Sequence, residues 1–293
     1  MNRRQLLASL ALSASLAATL AMSGASLAAD KTNPDVLRVA LLPDENAATL
    51  IQNAQPLKAY LESSLNKKIE IIVTTDYSSM IEAMRFGRID VAYFGPFSYV
   101  LAKSKAPEIE PFAVGVEKGK PNYQSILIAN ADGPVKTLQD VKGKPFAFGD
   151  QASTSSHLAP RAHLAQAGLI GDTDYKVVHL GQHDAVARSV AAGQVPAGAL
   201  SEAIFRVLME SNRIDPSKIR QLALSAPIPN YPMTLQGYLK PELKEQIRRA
   251  FLELKDPAIL KLFRIEGLSP ATDKDYDVLR DMAKILNLNI AKL

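Results

Sequence analysis

The chain predicts an α/β protein with two similar lobes, and three observations carry that prediction. Short apolar, strand-like runs alternate with helix-period segments along most of its 293 residues. One ten-residue segment is echoed later in the chain. Polar loops follow the carboxyl ends of the predicted strands, where open α/β sheets bind ligands.

Leu37 to Leu42 is strand-like, Leu57, Tyr60, Leu61 and Leu65 share a helical face, and Ile69 to Thr74 is a β-branched run. Ser79 to Phe86 is helical again and Val91 to Phe94 is another strand, so βαβ order implies a parallel sheet with helices on its faces. In the second half, Tyr123–Ala129, Pro145–Phe148 and Lys176–Leu180 read as strands, and Leu158–Ala167, Asp184–Ala192 and Ser201–Ser211 as helices. A helical tail closes the chain, with Leu243, Ile247, Phe251 and Leu254 on one face and Tyr276, Leu279, Met282 and Leu286 on another. The echo pairs Ala83–Ala92 with Ser189–Gly198: each is a helix end, a Gly suited to a left-handed cap, and a short buried strand. Chance similarity of common αβ punctuation is the alternative. A repeated topology would put a ligand between two lobes.

Residues 1–28 read as a signal peptide and lie outside the fold. Arg3-Arg4 precedes an apolar run, Leu6 to Ala21, and Ser26-Leu27-Ala28 is a small-x-small cleavage signal. That run is too short and too rich in Ala and Ser for a membrane anchor. The arginine pair also resembles a twin-arginine export signal, leaving the export route open. Without Arg3 and Arg4 the formal charge falls from +4 to +2, and nothing suggests a nucleic-acid surface. The absence of cysteine excludes a lipid-attachment Cys, disulfides and thiolate chemistry, which fits a periplasmic protein. Four histidines without a compact spacing to carboxylates give no metal site, and no cofactor is expected.

Gly149 to His157 carries Ser153, Thr154, Ser155 and Ser156 directly before a helical pattern. Free N–H groups, the positive dipole end and four hydroxyls suit an oxyanion; an N-cap with spare serines is the alternative. Other strand-end loops are Pro43-Asp44-Glu45-Asn46, Asp76-Tyr77-Ser78-Ser79, Tyr93 to Tyr99, and Gly181-Gln182-His183-Asp184. Their repetition at one edge marks a cleft.

The stretch Thr75 to Pro96, Gly149-Asp150 with Ser153 to His157, and His183-Asp184-Ala185-Val186-Ala187 resemble the periplasmic phosphonate-binding proteins of ABC transporters. With Leu41-Leu42-Pro43-Asp44-Glu45-Asn46-Ala47, the chain is most similar to the phosphite-binding branch, over essentially residues 35–290. The resemblance implies a type II periplasmic-binding-protein fold, two α/β lobes joined by a two-strand hinge. Lobe 1 would be residues 30–122 and 231–293, and lobe 2 residues 123–230, with crossings near 121–125 and 226–231. It further implies no reaction, a phosphite ligand, delivery to a cognate ABC permease in the inner membrane, and a monomer. Ser153, Thr154, Ser155, Ser156, His157, Tyr77, Tyr93, Tyr123 and His183 would hold the ligand's oxygens.

Asp44 beside an anion needs its own reason. A monoprotonated oxyanion can donate its P–OH to a carboxylate, whereas sulfate at neutral pH cannot and is repelled; an ordinary turn Asp is the alternative. The sequence departs from the aminoalkylphosphonate binders at Pro229-Asn230-Tyr231-Pro232, where they carry an amine-receiving carboxylate in Pro-x-Asp-Pro. Tyr231 would close that space, and Glu202 is the candidate for their second carboxylate. Methylphosphonate is the second choice of ligand. An exported Ser/His hydrolase has no Gly-x-Ser-x-Gly elbow to support it, and a ligand-presenting sensor would use the same cleft.

Overall fold

The computed structural model describes residues 30–293, so the expected signal peptide lies outside the described residues. From Asp35 onward the chain forms one unit holding two mixed sheets. The first sheet begins β1 (Val36–Leu41), α1 (Ala47–Asn53), α2 (Gln55–Leu65), β2 (Lys68–Val73), α3 (Tyr77–Arg85), β3 (Val91–Tyr93), α4 (Pro96–Lys105) and β4 (Glu110–Val116). β5 (Asn122–Tyr123) then leads into the second sheet. That sheet takes β6 (Ser125–Asn130), β7 (Pro145–Phe148), α5 (Ala159–Gln166), β8 (Lys176–His179), α6 (His183–Ala191), β9 (Ala197–Ser201), α7 (Glu202–Glu210) and β10 (Ile219–Leu224). β11 (Ile228–Pro229) returns to the first sheet, completed by β12 (Pro232–Leu235), α8 (Pro241–Leu252), α9 (Pro257–Phe263), β13 (Gly267–Pro270) and α10 (Asp277–Ile285).

The strand orders are β13-β4-β12-β3-β1-β2 and β10-β6-β9-β7-β8. Within each, a parallel β2-β1-β3 or β8-β7-β9 unit is flanked by an antiparallel strand, β12 or β6. The sheets are therefore mixed rather than purely parallel, because β12 and β6 enter from the crossings in the opposite direction. β11 and β5 pair antiparallel in a separate two-stranded ribbon. The expected strand Tyr123–Ala129 is thus divided: Tyr123 belongs to the ribbon, and the second sheet starts at Ser125.

The echo is structural. Gly87 and Gly193 both take positive φ, +64° and +70°, directly after α3 and α6, and the strands that follow are the matching β3 and β9. One buried cluster serves the first sheet, while the second has a cluster on each face. Ala152, Leu158 and Ala159 from the second lobe join the first lobe's cluster, so the segment around Ser153 is packed between the two.

Tyr93 to Tyr99 is not all loop: Pro96 opens α4, where its fixed φ suits the first turn and its missing N–H leaves no unmet donor. Before α5, Thr154 to Leu158 winds as a π-helical turn. Among the described residues, no helix is long and apolar enough to cross a membrane.

Candidate anion-binding site

Strand geometry gathers the polar loops. Asp44 follows β1, Tyr93 ends β3, Tyr77 opens α3, Tyr123 lies in the ribbon and Tyr231 precedes β12. From the second lobe come Ser153–Ser156 after β7 and His183 at the start of α6 after β8. All of these side chains are buried.

The four hydroxyls divide their tasks. Ser153 caps the turn, its Oγ accepting from Ser156 N at 3.1 Å. Thr154 Oγ1 accepts from Phe97 N at 2.7 Å, so a second-lobe hydroxyl satisfies a free amide in the first turn of α4. Ser156 Oγ donates to Ala199 O at 2.5 Å and accepts from Gly149 N at 2.8 Å, which commits it to the internal frame. Ser155 Oγ is fully buried and has no hydrogen-bond partner among the described residues. A buried hydroxyl without a partner loses its water for nothing in return, and this one lies in the segment where a ligand oxygen was expected.

His183 Nδ1 accepts from Ser201 N at 3.0 Å, so in the neutral ring Nε2 carries the proton. Nε2 faces Ser153 Oγ at 3.4 Å and Tyr77 OH at 3.5 Å. Burial, with Arg264 adding to it, pushes the His183 pKa down to about 3. The ring is therefore a neutral donor at neutral pH. Burial likewise raises the hydroxyl pKa of Tyr77, Tyr93, Tyr123 and Tyr231. Tyr231 stacks on Tyr93 at 5.1 Å and meets Tyr123 edge-on at 5.3 Å, while Tyr93 also packs on Phe263 at 4.7 Å. The Tyr93 hydroxyl donates to Phe263 O at 3.4 Å, so this residue is a wall more than an oxygen ligand.

Asp44 does not stand alone among neutral donors. Its Oδ2 receives Arg264 Nη2 at 2.8 Å, and Arg264 Nη1 reaches Glu45 Oε1 at 2.6 Å. Burial raises the Asp44 pKa to about 6, with Arg264 and the Tyr231 hydroxyl holding it down and Glu45 pushing it further up. It stays mainly ionised at pH 7. For Arg264, burial alone would lower the pKa, but Asp44 and Glu45 outweigh it and the net shift is upward. The sequence reading missed Arg264: 220 residues separate it from Asp44, and only a requirement that a buried Asp-Glu pair find a cation could have hinted at it.

Two expected ligands stand elsewhere. His157 is buried against Phe148 and His179; its Nδ1 meets Gln151 O at 2.6 Å and its Nε2 meets Arg161 at 3.2 Å, so both ring nitrogens are engaged. It braces the turn. Glu202 is paired with Arg206 at 2.9 Å, and Arg206 also holds Glu117 at 2.6 Å, beside the ribbon. It is not a free carboxylate awaiting an amine.

The lobes meet across this cluster. Besides the Thr154 contact, His183 N donates to Asp44 O at 3.2 Å, Gln182 Nε2 to Glu45 O at 3.3 Å, and Arg213 lies 3.5 Å from both Glu45 and Asp184. Chemically, the cluster offers neutral O–H and N–H donors, the braced carboxylate of Asp44 and an aromatic wall whose small cavity Glu117 also lines. Such donors and an acceptor are the groups that hold a small polar anion. Among the described residues, no group of three or more His, Asp or Glu comes together as a metal site.

Residues 39–276 match the family described as ABC transporter, phosphonate, periplasmic substrate-binding protein, and the chain belongs to that family. The phosphate-import protein PhnD of Mycolicibacterium smegmatis is 28% identical over 279 residues, covering 86% of each chain. The probable ABC transporter phosphite binding protein PhnD1 of Prochlorococcus marinus is 24% identical over 273 residues, 87% of this chain and 91% of that one. The solved structure of PhnD1 from Prochlorococcus marinus in complex with methylphosphonate has a TM-score of 0.79 at 23% identity, covering 87% of this chain and 99% of that one. The fold is the type II periplasmic-binding-protein fold. The protein is thus the periplasmic substrate-binding component of an ABC importer, and it binds its substrate without transforming it.

Two buried histidines give a pH signature. His157 also has its pKa pushed down to about 3, by burial first and then by Arg161 and His179. Each folded-state ring refuses a proton that the unfolded chain takes up near 6.5, so stability falls as pH drops below 6.5. Asp44 works the other way, gaining a proton in the folded state near pH 6 before the unfolded chain does near 3.8, and offsets one of the two. The net loss is expected to be about 1.4 kcal/mol per pH unit between roughly pH 6 and 4.5. Urea unfolding of ligand-free protein across that range checks it; a flat profile would contradict the neutral buried rings.

Proposed function

We propose that the protein captures phosphite between its two lobes and delivers it to its cognate permease. The observation that supports this reading is one buried cluster: the hydroxyls of Ser153, Thr154 and Ser155 and the neutral ring of His183 are gathered with Tyr77 near the Asp44 carboxylate, and Tyr93, Tyr123 and Tyr231 pack on one another beside them. A monoprotonated phosphorus oxyanion meets each of these groups with a complementary atom, and a P–H lies against an aromatic ring without leaving a polar group unpaired. The phosphite-binding description of the Prochlorococcus marinus relative supports the same reading. Tyr231, where aminoalkylphosphonate binders carry a carboxylate, leaves an aminoalkyl group without a charge partner.

The hinge in this reading is the β5–β11 ribbon, and the bound anion bridges the lobes. Phosphite at about 100 times its Kd should then add roughly 2.7 kcal/mol to the unfolding free energy and raise Tm. Small-angle scattering should show compaction on saturation. An unchanged melting temperature together with an unchanged scattering profile would contradict capture between hinged lobes.

A further inference from the structure

We propose that Arg264 is a specificity-determining residue of this cleft: through its contact with Asp44 it holds that carboxylate as an ionised acceptor for the hydroxyl of a monoprotonated phosphorus oxyanion. The inference deepens the phosphite reading and rests on it. Three observations carry it. The guanidinium is nearly buried, with 12% of the side chain exposed, and is split between Asp44 at 2.8 Å and Glu45 at 2.6 Å. Its two arms thus brace two adjacent carboxylates from one planar fork. Second, Arg264 lines both small cavities beside Tyr93, one shared with Tyr123, Ser201 and Tyr231 and the other with Leu42 and Asp44. The charge therefore borders these small cavities on one side, and on the other the larger open pocket that it lines with Glu45 and Arg213.

The third observation is the backbone. Arg264 caps α9 at φ +59°, a left-handed conformation that suits Gly or Asn and is disfavoured for other residues because their Cβ crowds the backbone carbonyl. The strain has a structural return: ending the helix there sends the side chain of residue 264 back toward β1, where Asp44 and Glu45 emerge. Chemically, the arrangement makes Asp44 accept rather than donate. Without Arg264, burial and the neighbouring Glu45 charge both favour the protonated form of Asp44, and a protonated Asp44 would offer a hydrogen where the ligand's own P–OH needs an acceptor. A fully ionised anion would then lose its handicap. Arg264 thus acts on selectivity through Asp44, with no need to touch the ligand.

The test compares the ratio of phosphite affinity to sulfate affinity, by calorimetry, in wild type, Arg264→Met, Asp44→Asn and the double variant. Arg264→Met is expected to lower the ratio at least about tenfold, whereas the same change in the Asp44→Asn background should move it less than about twofold. Arg264→Gln, which keeps hydrogen-bonding groups but no charge, should lower the ratio in the same direction and serves if the Met variant does not fold, whereas Arg264→Lys, which keeps one positive charge, should retain most of it. A purely structural role would weaken both ligands equally, in either background, and an unchanged ratio in Arg264→Met or, where that does not fold, in Arg264→Gln would overturn the inference. If wild type binds phosphate or methylphosphonate in preference to phosphite, the phosphite reading fails while the ratio, taken with that ligand against sulfate, still decides the role of Arg264.

Discussion

Ser155→Ala and Thr154→Ala are each expected to weaken anion binding by about 1–3 kcal/mol. The two losses have different origins. Ser155 Oγ is buried and makes no hydrogen bond of ordinary geometry among the described residues, interacting at most weakly with the Tyr123 hydroxyl, so in the ligand-free protein its removal takes little from the folded state. Stability without ligand should stay level or rise slightly. Thr154 Oγ1 instead accepts from Phe97 N across the lobes, so its removal leaves that amide unmet and also disfavours closure. Thr154→Ser keeps the acceptor and should recover most of the loss. Titration of both alanine variants checks the assignment, and wild-type affinity in both would remove this turn from the binding site.

Tyr231→Ala is expected to have the largest effect on stability, about 3–5 kcal/mol, as for truncation of other buried aromatic side chains. The ring is 5% exposed, stacks on Tyr93 and meets Tyr123 edge-on, so its loss opens a cavity between the ribbon and β3. Tyr231→Phe separates the ring from the hydroxyl: packing remains, and only the group that helps hold Asp44 ionised is lost. The Ala variant should also bind aminoethylphosphonate less poorly relative to phosphite, because the space that Tyr231 fills becomes available. Urea midpoints for both variants check the first part; equal stability of the Ala variant and wild type would mean that the aromatic wall contributes no packing.

How the sequence led to this site, and where it stopped, follows from which interactions are local. The strand-end loops were legible because strand direction alone carries Asp44, Tyr77 and Tyr93 to one edge, and the echoed Gly87 and Gly193 mark the same turn in both lobes. The hydroxyl run was legible as a whole, but its division of labour was not. Whether Ser156 faces a ligand or Ala199 depends on how the π-helical turn packs against β9. His157 misled for the same reason: its place in the motif looked like a ligand, and its ring turns instead toward Gln151 and Arg161. Arg264 had no local signal, since its meaning comes from Asp44 and Glu45 on a distant strand end. The mixed sheets escaped the βαβ reading because β12 arrives from the far end of the chain, a pairing that hydrophobic periodicity cannot announce.

If phosphite is the substrate, as proposed, a small, protonated phosphorus oxyanion with no polar substituent should bind here most tightly. Phosphate adds a fourth oxygen whose hydroxyl needs a partner among Tyr93, Tyr123 and Tyr231, and leaving it unmet costs on the order of 1–3 kcal/mol. Calorimetric titration of the processed protein with phosphite, methylphosphonate, phosphate, sulfate and aminoethylphosphonate measures this directly. Phosphite is expected to bind most tightly, methylphosphonate more weakly, and phosphate, sulfate and aminoethylphosphonate weakest; phosphate or aminoethylphosphonate binding as tightly as phosphite would contradict capture of phosphite.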